Sequence, residues 1–578
     1  MSEALLIFTF SPVQSFIAEA RRTGDLYAGS RILAELAAAA ACSIGDQGGK
    51  VVYPQSAAGG DMPNKLVALV PQASAASIGR QAEAAVHDRW RGLAAEGLDG
   101  LVHLGATRPD GTWQAIWERQ TAPGYLWQCF WAAAELGDGG YAEAYRRASA
   151  TVDAVKHSRL FPQAVEQGEK DSLSGKREAL HLENQSGRRY WREVAGLPTV
   201  TGALLRKDGR ERLDAIGVVK RFGNLYSDRK FLSVSSIAAA PFLAAARPRL
   251  SPYRDAVERL LGETLYRVSD DAIWPYDGDL LFEDTLTRQR LFASYGAIVD
   301  PDELRAARAA LKNLYEVMHS KKVAPPCPYY AVIKLDGDDM GERISACLRE
   351  KEAEAAHRRF SQSLAAFSSR VAQVTKGHRA CRVYNGGDDV LALTPATAAI
   401  PFVSALAEEF RSHVGATAST GIALAHHLSP LDAALEAANE AERLAKGVPG
   451  KAAICVGLLR RSGEHVFVRS SQRALAEPLA RVLQLFSSDV LSGRLAYEVC
   501  QAAYALPEPG PELTAELKRL LLRHSQGQVG EDLALQLNAW AESLPEPEPG
   551  LFGSRVEELG QWLVLARFLA SQGGEDAT

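Results

Sequence analysis

A chain of 578 residues exceeds what one ordinary hydrophobic core can hold, and its length alone predicts roughly three to five units. With 47% hydrophobic residues, 23% charged residues and a formal net charge of −5, it has the make-up of a soluble globular protein and not of a basic nucleic-acid coat, so any nucleic-acid contact is local or delegated to partners. Seven cysteines, without a CxxC pair, provide neither a disulfide framework nor a metal knuckle and fit a reducing cytoplasm; the N-terminus lacks a basic signal region and the Ala-rich stretch after Arg31 is too short to span a bilayer, so no membrane anchoring is expected.

In chain order, the apolar strand "ALLIFTF" leads into the helical pattern "SPVQSFIAEARR". A strand "VVYP", a turn "AAGGDMPN", a strand "KLVALVP", the helix "IGRQAEAAVHDRWRGLA" and a strand "YLWQCFWAAA" follow. Residues 156–321 read as mixed helix and irregular segments. Then the order recurs: strand "YYAVIKL", a loop "DGDDMGE" into a helix, strand "CRVY", turn "NGGDD", strand "VLALTP", helix "FVSALAEEFRSHV", and "ASTGIALAHHL" with "SPLDAALEAANEAERLAK". After about 465 the periodicity is helical, broken at "LPEPGPEL" and "LPEPEPG". The pattern predicts an α+β protein with two ferredoxin-like palm domains, at 1–155 and 322–465, a mixed helical inter-palm domain at 156–321 and a C-terminal helical bundle at 466–578.

In such a palm the end of the first strand lies beside the central hairpin, which brings Asp336 toward Asp388 and Asp389. Three carboxylates converging there repel one another unless divalent cations join them, and two such ions, Mg²⁺ or Mn²⁺, are what phosphoryl and nucleotidyl transfer use. Gly386 and Gly387 would let a triphosphate approach the backbone. Neighbouring strand residues point to opposite faces, so of the pair Asp389 is favoured as the ligand unless the turn redirects Asp388. The bland alternative is a type I′ hairpin. Lys446 and Lys451 are equally readable as phosphate contacts and as ordinary partners of a helix C-terminus, and Asp338 and Asp339 as helix N-caps. The first copy has Ser11 and Pro12 where Asp336 and Gly337 stand, and its hairpin keeps only Asp61 before Met62 and Pro63, so it is expected to be a non-catalytic partner. Arg21, Arg22, Arg31, Arg188, Arg189 and Arg192 are more readily solvated than RNA-binding; His426 and His427 read as packing, with one a candidate for the nucleotide pocket.

These stretches, together with "SPVQSFIAEARRTGDLYAGSRILAEL", "FLSVSSIAAAPF", "GDLLFEDTL" and "LLRRSGE", resemble the large, palm-containing subunit of type III CRISPR effector complexes, of the Cmr (III-B) kind, over nearly the whole chain. The resemblance implies an enzyme that binds ATP in the palm pair and makes cyclic oligoadenylate when its complex pairs guide RNA with target RNA. It implies Asp336, Asp388 and Asp389 as catalytic, metal-binding carboxylates, and Gly386 and Gly387 as the phosphate-side turn; Gly337, Lys446 and Lys451 are the further candidates for ATP binding. Its partners would be the other Cmr-type subunits, guide RNA and target RNA. Two departures stand out. Many relatives carry an HD nuclease domain before the first palm; here the first strand begins at once and the only HD dipeptide, His87-Asp88, lies mid-helix, so no DNA cutting is expected. The family's four zinc cysteines are replaced by Asp171, Ser174, Asp214 and Gly217, so no zinc is expected and hydrogen bonds are favoured over a residual cation. Two other readings stay open: a diguanylate cyclase-like enzyme, against which the GGDD turn lacks that family's usual ending, and a non-catalytic assembly scaffold.

Overall fold

The computed structural model describes residues 2–55, 62–106, 110–158, 166–224, 231–461, 463, 465–526, 531–548 and 550–572. Its first sheet contains β1 (Glu3–Ser11), β2 (Lys50–Tyr53), β3 (Lys65–Pro71) and β4 (Gln128–Glu135) in the order β2-β3-β1-β4, every pair antiparallel. The unbroken apolar run of β1 follows from cover on both faces. Leu6, Phe8 and Phe10 pack with the helices Thr23–Asp46 and Ala75–His103, whereas Leu5 and Ile7 pack against the helix Gly140–Ser158.

The second sheet contains β5 (Tyr329–Gly337), β6 (Cys381–Asn385), β7 (Asp389–Pro395), β8 (Ala418–His426), β9 (Ala453–Leu459) and β10 (His465–Ser471), in the order β10-β9-β8-β5-β7-β6. Its last four strands repeat the order of the first sheet, which is the ferredoxin-like arrangement. Ile333 and Leu335 face the helices Ala353–Gly377 and Ala399–Val414, while Val332 faces the side covered by the helix Leu431–Lys446. The sheet extends past position 465, where the sequence pattern had ended the palm. β9 joins β8 in parallel after the helix crossover, and β10, "HVFVRSS", pairs antiparallel with β9 and so belongs to this sheet.

Between the palms, the positions of the absent cysteines are held by hydrogen bonds. Asp171 accepts from the backbone N–H of Leu173 and Ser174, both at 2.7 Å, and from the Ser174 hydroxyl at 2.6 Å. Asp214 accepts from the Gly217 N–H at 2.6 Å and from the Arg177 guanidinium, which also bonds Glu19 of the first palm. A second buried set, Arg221 with Asp25 at 2.7 Å and Glu211 at 3.2 Å, ties the same domains together. Beyond β10 lie the helices Gln472–Ser487, Arg494–Ala502, Pro511–His524, Glu531–Ser543 and Arg555–Gln572. The last is anchored by Glu558, whose carboxylate accepts from the Arg469 N–H at 2.7 Å and pairs with its guanidinium at 3.2 Å. Among the described residues no helix is long and apolar enough to cross a membrane.

Candidate functional site

Strand pairing delivers the carboxylates. β5 and β7 run antiparallel with Asp336 directly opposite Asp389, and the Gly337 N–H donates to the Asp388 carbonyl at 2.9 Å. The turn is a true hairpin, closed by the Gly386 N–H on the Asp389 carbonyl at 2.9 Å. Asn385 pins it from below: its buried amide donates to the Ser368 hydroxyl at 2.7 Å and its carbonyl accepts from the Gly387 N–H at 3.3 Å. The hairpin and the carboxylate readings are therefore one object. Gly387 adopts φ +105°, a conformation other residues rarely reach. Gly386 is required by packing, since a Cβ there would lie 2.1 Å from the Asp389 carboxylate and 2.2 Å from the Tyr384 hydroxyl. Gly337 is likewise held by packing, a Cβ meeting Phe410 at 2.8 Å.

Electrostatics mark this strand end. Burial, then the charges of Asp388 and Asp336, push the Asp389 carboxyl well above its ordinary range. Burial and Asp336 push Asp388 up to about 6, and burial raises Asp336 although Lys446 beside it pulls the other way. Lys446, at the end of the helix Leu431–Lys446, bonds the Asp336 carboxylate and stands 3.6 Å from Glu442. The three aspartates do not close into the expected tight trio: among the described residues the one group of three ligand-type side chains whose donor atoms all lie within 4.8 Å of one another is elsewhere, at Asp284, His426 and His427. Asp336 stands opposite Asp389 and is held by Lys446, while Asp388, in the turn, and Asp389 line a cavity toward the first palm.

That cavity, about 240 Å³, is walled by Tyr53, Lys65 and Tyr145 of the first palm and by Met340, Gly386, Asp388 and Asp389 of the second. Lys65 Nζ lies 3.3 Å from the Tyr145 hydroxyl, and the aspartates push the buried Tyr53 phenol further above its usual range. His357 stands between the palms: its Nδ1 shares a hydrogen bond of 2.8 Å with the Tyr141 hydroxyl and its ring stacks on Tyr53. Sequence reasoning missed all of these first-palm residues. The register shows why. Glu3 pairs with Pro71 and Tyr330 with Pro395, so Thr9 and Phe10, not Ser11 and Pro12, occupy the places of Asp336 and Gly337, and Lys65 occupies that of Asp389. Sliding "KLVALVP" onto "DVLALTP" by their final prolines would have found Lys65. Asp61 lies outside the described residues.

Other expected positions resolve differently. Asp338 is not a helix N-cap but a buried anchor, accepting from Thr417 and Ser419 hydroxyls at 2.8 Å and from the Ala452 N–H at 3.0 Å. Asp339 sits at the N-cap position with φ +58° and makes no side-chain cap; it pairs with Lys451. His426 stands opposite Tyr329, at the far end of β5 from Asp336, so neither it nor His427 lines the inter-palm cavity. Arg21 donates to the Ser172 carbonyl at 2.7 Å, Arg22 pairs with Glu211 at 2.8 Å and Arg31 with Glu35 at 3.3 Å, all within the chain. Arg189 pairs with Glu193 at 3.1 Å on an exposed helix that also carries Arg188 and Arg192. His87 and Asp88 lie mid-helix, Asp88 paired with Arg91.

Two sheets that share one four-strand order, the second with paired carboxylates where its central strands meet, define a tandem palm fold. Residues 329–455 match the family model of the Cas10/Cmr2 second palm domain, and residues 5–59 match that of the N-terminal part of the CRISPR-associated protein Cmr2. The CRISPR system Cmr subunit Cmr2 of Pyrococcus furiosus is 30% identical over 244 residues, covering 37% of this chain and 28% of that relative's length. Among solved structures, a type III-B Cmr-beta cryo-EM structure in the apo state superposes with a TM-score of 0.64 at 13% identity, over 99% of this chain and 82% of that one. The Cmr-beta structure bound to cognate target RNA gives 0.63 at 13% identity, over 99% and 83%. At this identity the likeness is one of fold.

Proposed function

We propose that this chain is the large subunit of a type III-B RNA-guided effector complex in the cytoplasm, and that its second palm joins ATP into cyclic oligoadenylate when target RNA pairs with the guide. The observation that carries the chemistry is Asp388 and Asp389 lining a cavity between the palms, with Asp336 paired to Asp389 across the central strands. The matches to the Cmr2 models and the fold shared with a target-RNA-bound Cmr-beta assembly support the partners: other Cmr-type subunits, guide RNA and target RNA.

The residues present suit hard divalent cations, because the paired strand ends offer buried carboxylate oxygens that raise one another's pKa. When bound by Asp336, Asp388 and Asp389, two Mg²⁺ or Mn²⁺ ions would supply activation of the attacking hydroxyl and stabilisation of the departing pyrophosphate. Lys446 is the resting counter-charge of Asp336 and turns to phosphate when the carboxylate takes up a cation. Lys65 supplies positive charge from the first palm, and Gly387 leaves the turn open toward Tyr53. The 3′-hydroxyl of one ATP attacks the α-phosphorus of another; the bond to the β-phosphate breaks and pyrophosphate leaves. Finally the terminal 3′-hydroxyl attacks the α-phosphorus at the 5′ end of the same oligomer, the bond to the β-phosphate breaks, and a last pyrophosphate leaves as the ring closes.

The test is to incubate the assembled complex with labelled ATP, Mg²⁺ or Mn²⁺ and target RNA, and to repeat it with Asp388→Ala/Asp389→Ala. A cyclic product from the first and none from the second is expected. No product from the unmutated complex would replace this reading with the scaffold, which the Lys446–Asp336 pair favours. Product from GTP in place of ATP would replace it with a diguanylate cyclase-like enzyme.

A further inference from the structure

At the opposite end of the catalytic sheet, Asp284 of the inter-palm domain meets His426 and His427, which end β8. One donor atom from each lies within 4.8 Å of the other two. The His427 side chain is fully buried, and its Nε2, 3.8 Å from the Asp284 carboxylate, has no hydrogen-bond partner. A buried, unpaired ring nitrogen is costly unless something binds it. The ring is otherwise held in place: Nδ1 shares a hydrogen bond of 2.8 Å with the Ser235 hydroxyl, and the face stacks on Phe282 with centroids 4.1 Å apart. His426 Nδ1 accepts from the Leu428 N–H at 3.1 Å. Asp284, with nearly half its side chain exposed, leaves an open route from solvent.

Burial, with Arg290 and Arg461 nearby, lowers both histidine pKa values and keeps both rings neutral at ordinary pH, the form a metal needs. The two arginines oppose a cation, and the Asp284 carboxylate offsets them.

We propose that Asp284, His426 and His427 form a binding site for one divalent transition-metal ion of the Zn²⁺ or Co²⁺ type, which fastens the inter-palm domain to the end of β8 remote from the GGDD turn. Two imidazoles and one carboxylate are the donors such ions take in sites with an open position. His427 ligates through Nε2 while its Nδ1–H donates to Ser235, the outer contact that orients a metal-bound histidine. If His426 also ligates through Nε2, its ring proton moves to Nδ1 and the bond from Leu428 is given up.

The site is read by titrating the full chain with Co²⁺ and following visible absorption, and by Zn²⁺ binding in equilibrium dialysis. Both are done in the Asp388→Asn/Asp389→Asn background, so that the palm carboxylates do not compete. One saturable equivalent is expected, unaffected by excess Mg²⁺, with a Zn²⁺-dependent rise in melting temperature. Asp284→Asn removes a ligand at an exposed position and Ser235→Ala removes the outer contact; each is expected to weaken binding by about ten-fold or more and to shrink the melting shift. Absence of a saturable Co²⁺ site, or unchanged affinity in both variants, overturns the proposal.

Discussion

The two palms share a skeleton down to its irregularities and differ at the positions that carry charge. In each, the second strand slips register at the same place, between Val51 and Tyr53 in one and between Arg382 and Tyr384 in the other, and the tyrosine after the slip reaches the shared cavity. In each, a proline closes the third strand. Yet across the central strand pair the second palm sets Asp336 against Asp389, and the first sets Thr9 against Lys65. At this pair one palm carries two carboxylates, the other a hydroxyl and an ammonium. What the duplication conserves is the frame of the cavity; what it divides is the sign of the charge.

The largest expected effect breaks the contrast from the acidic side. Asp388→Ala/Asp389→Ala removes several kcal/mol of transition-state stabilisation and should cut product formation on the order of a thousand-fold, measured as labelled cyclic product per complex. The contact between the palms can be loosened with acid. Burial lowers the His357 pKa from 6.5 to about 4, so the unfolded chain binds more protons between those values and stability falls as the pH drops from about 6.5 toward 4. The loss should reach on the order of 3 kcal/mol, and His357→Gln, which keeps a partner for Tyr141, should flatten that part of the denaturation profile. From the basic side, Lys65→Ala should weaken ATP use by about ten-fold or more, the worth of a charged hydrogen bond, mainly through KM. Gly386→Ala tests the turn itself: its Cβ would strike the Asp389 carboxylate and Tyr384, with about 1 to 3 kcal/mol lost in melting experiments.

The strand order of both palms was legible because the strands are short apolar runs, several of them ended by Pro, Gly or Asn, with helices between them. The pairing of Asp336 with the GGDD turn was legible for the same reason. Register was not, because pattern alone does not say which residue faces which, and so Thr9 and Lys65 went unread. Asp338 looked like a cap because its true partners, Thr417, Ser419 and Ala452, lie far along the chain. The doublet His426-His427 was visible, but Asp284, which gives it a possible chemistry, arrives from another domain.

The buried contact between Arg469 and Glu558 bears on how this protein can be dissected. Arg469 belongs to the last strand of the second sheet, and its carbonyl also accepts from the Trp562 indole at 3.0 Å. Truncation after β10 would leave that guanidinium without its buried carboxylate, a loss of about 3 to 5 kcal/mol in pairs of this kind. The second palm is therefore no excisable cassette: its outer edge is completed by a helix more than eighty residues downstream, and a shortened chain should express as an unfolding-prone fragment even with every GGDD residue intact.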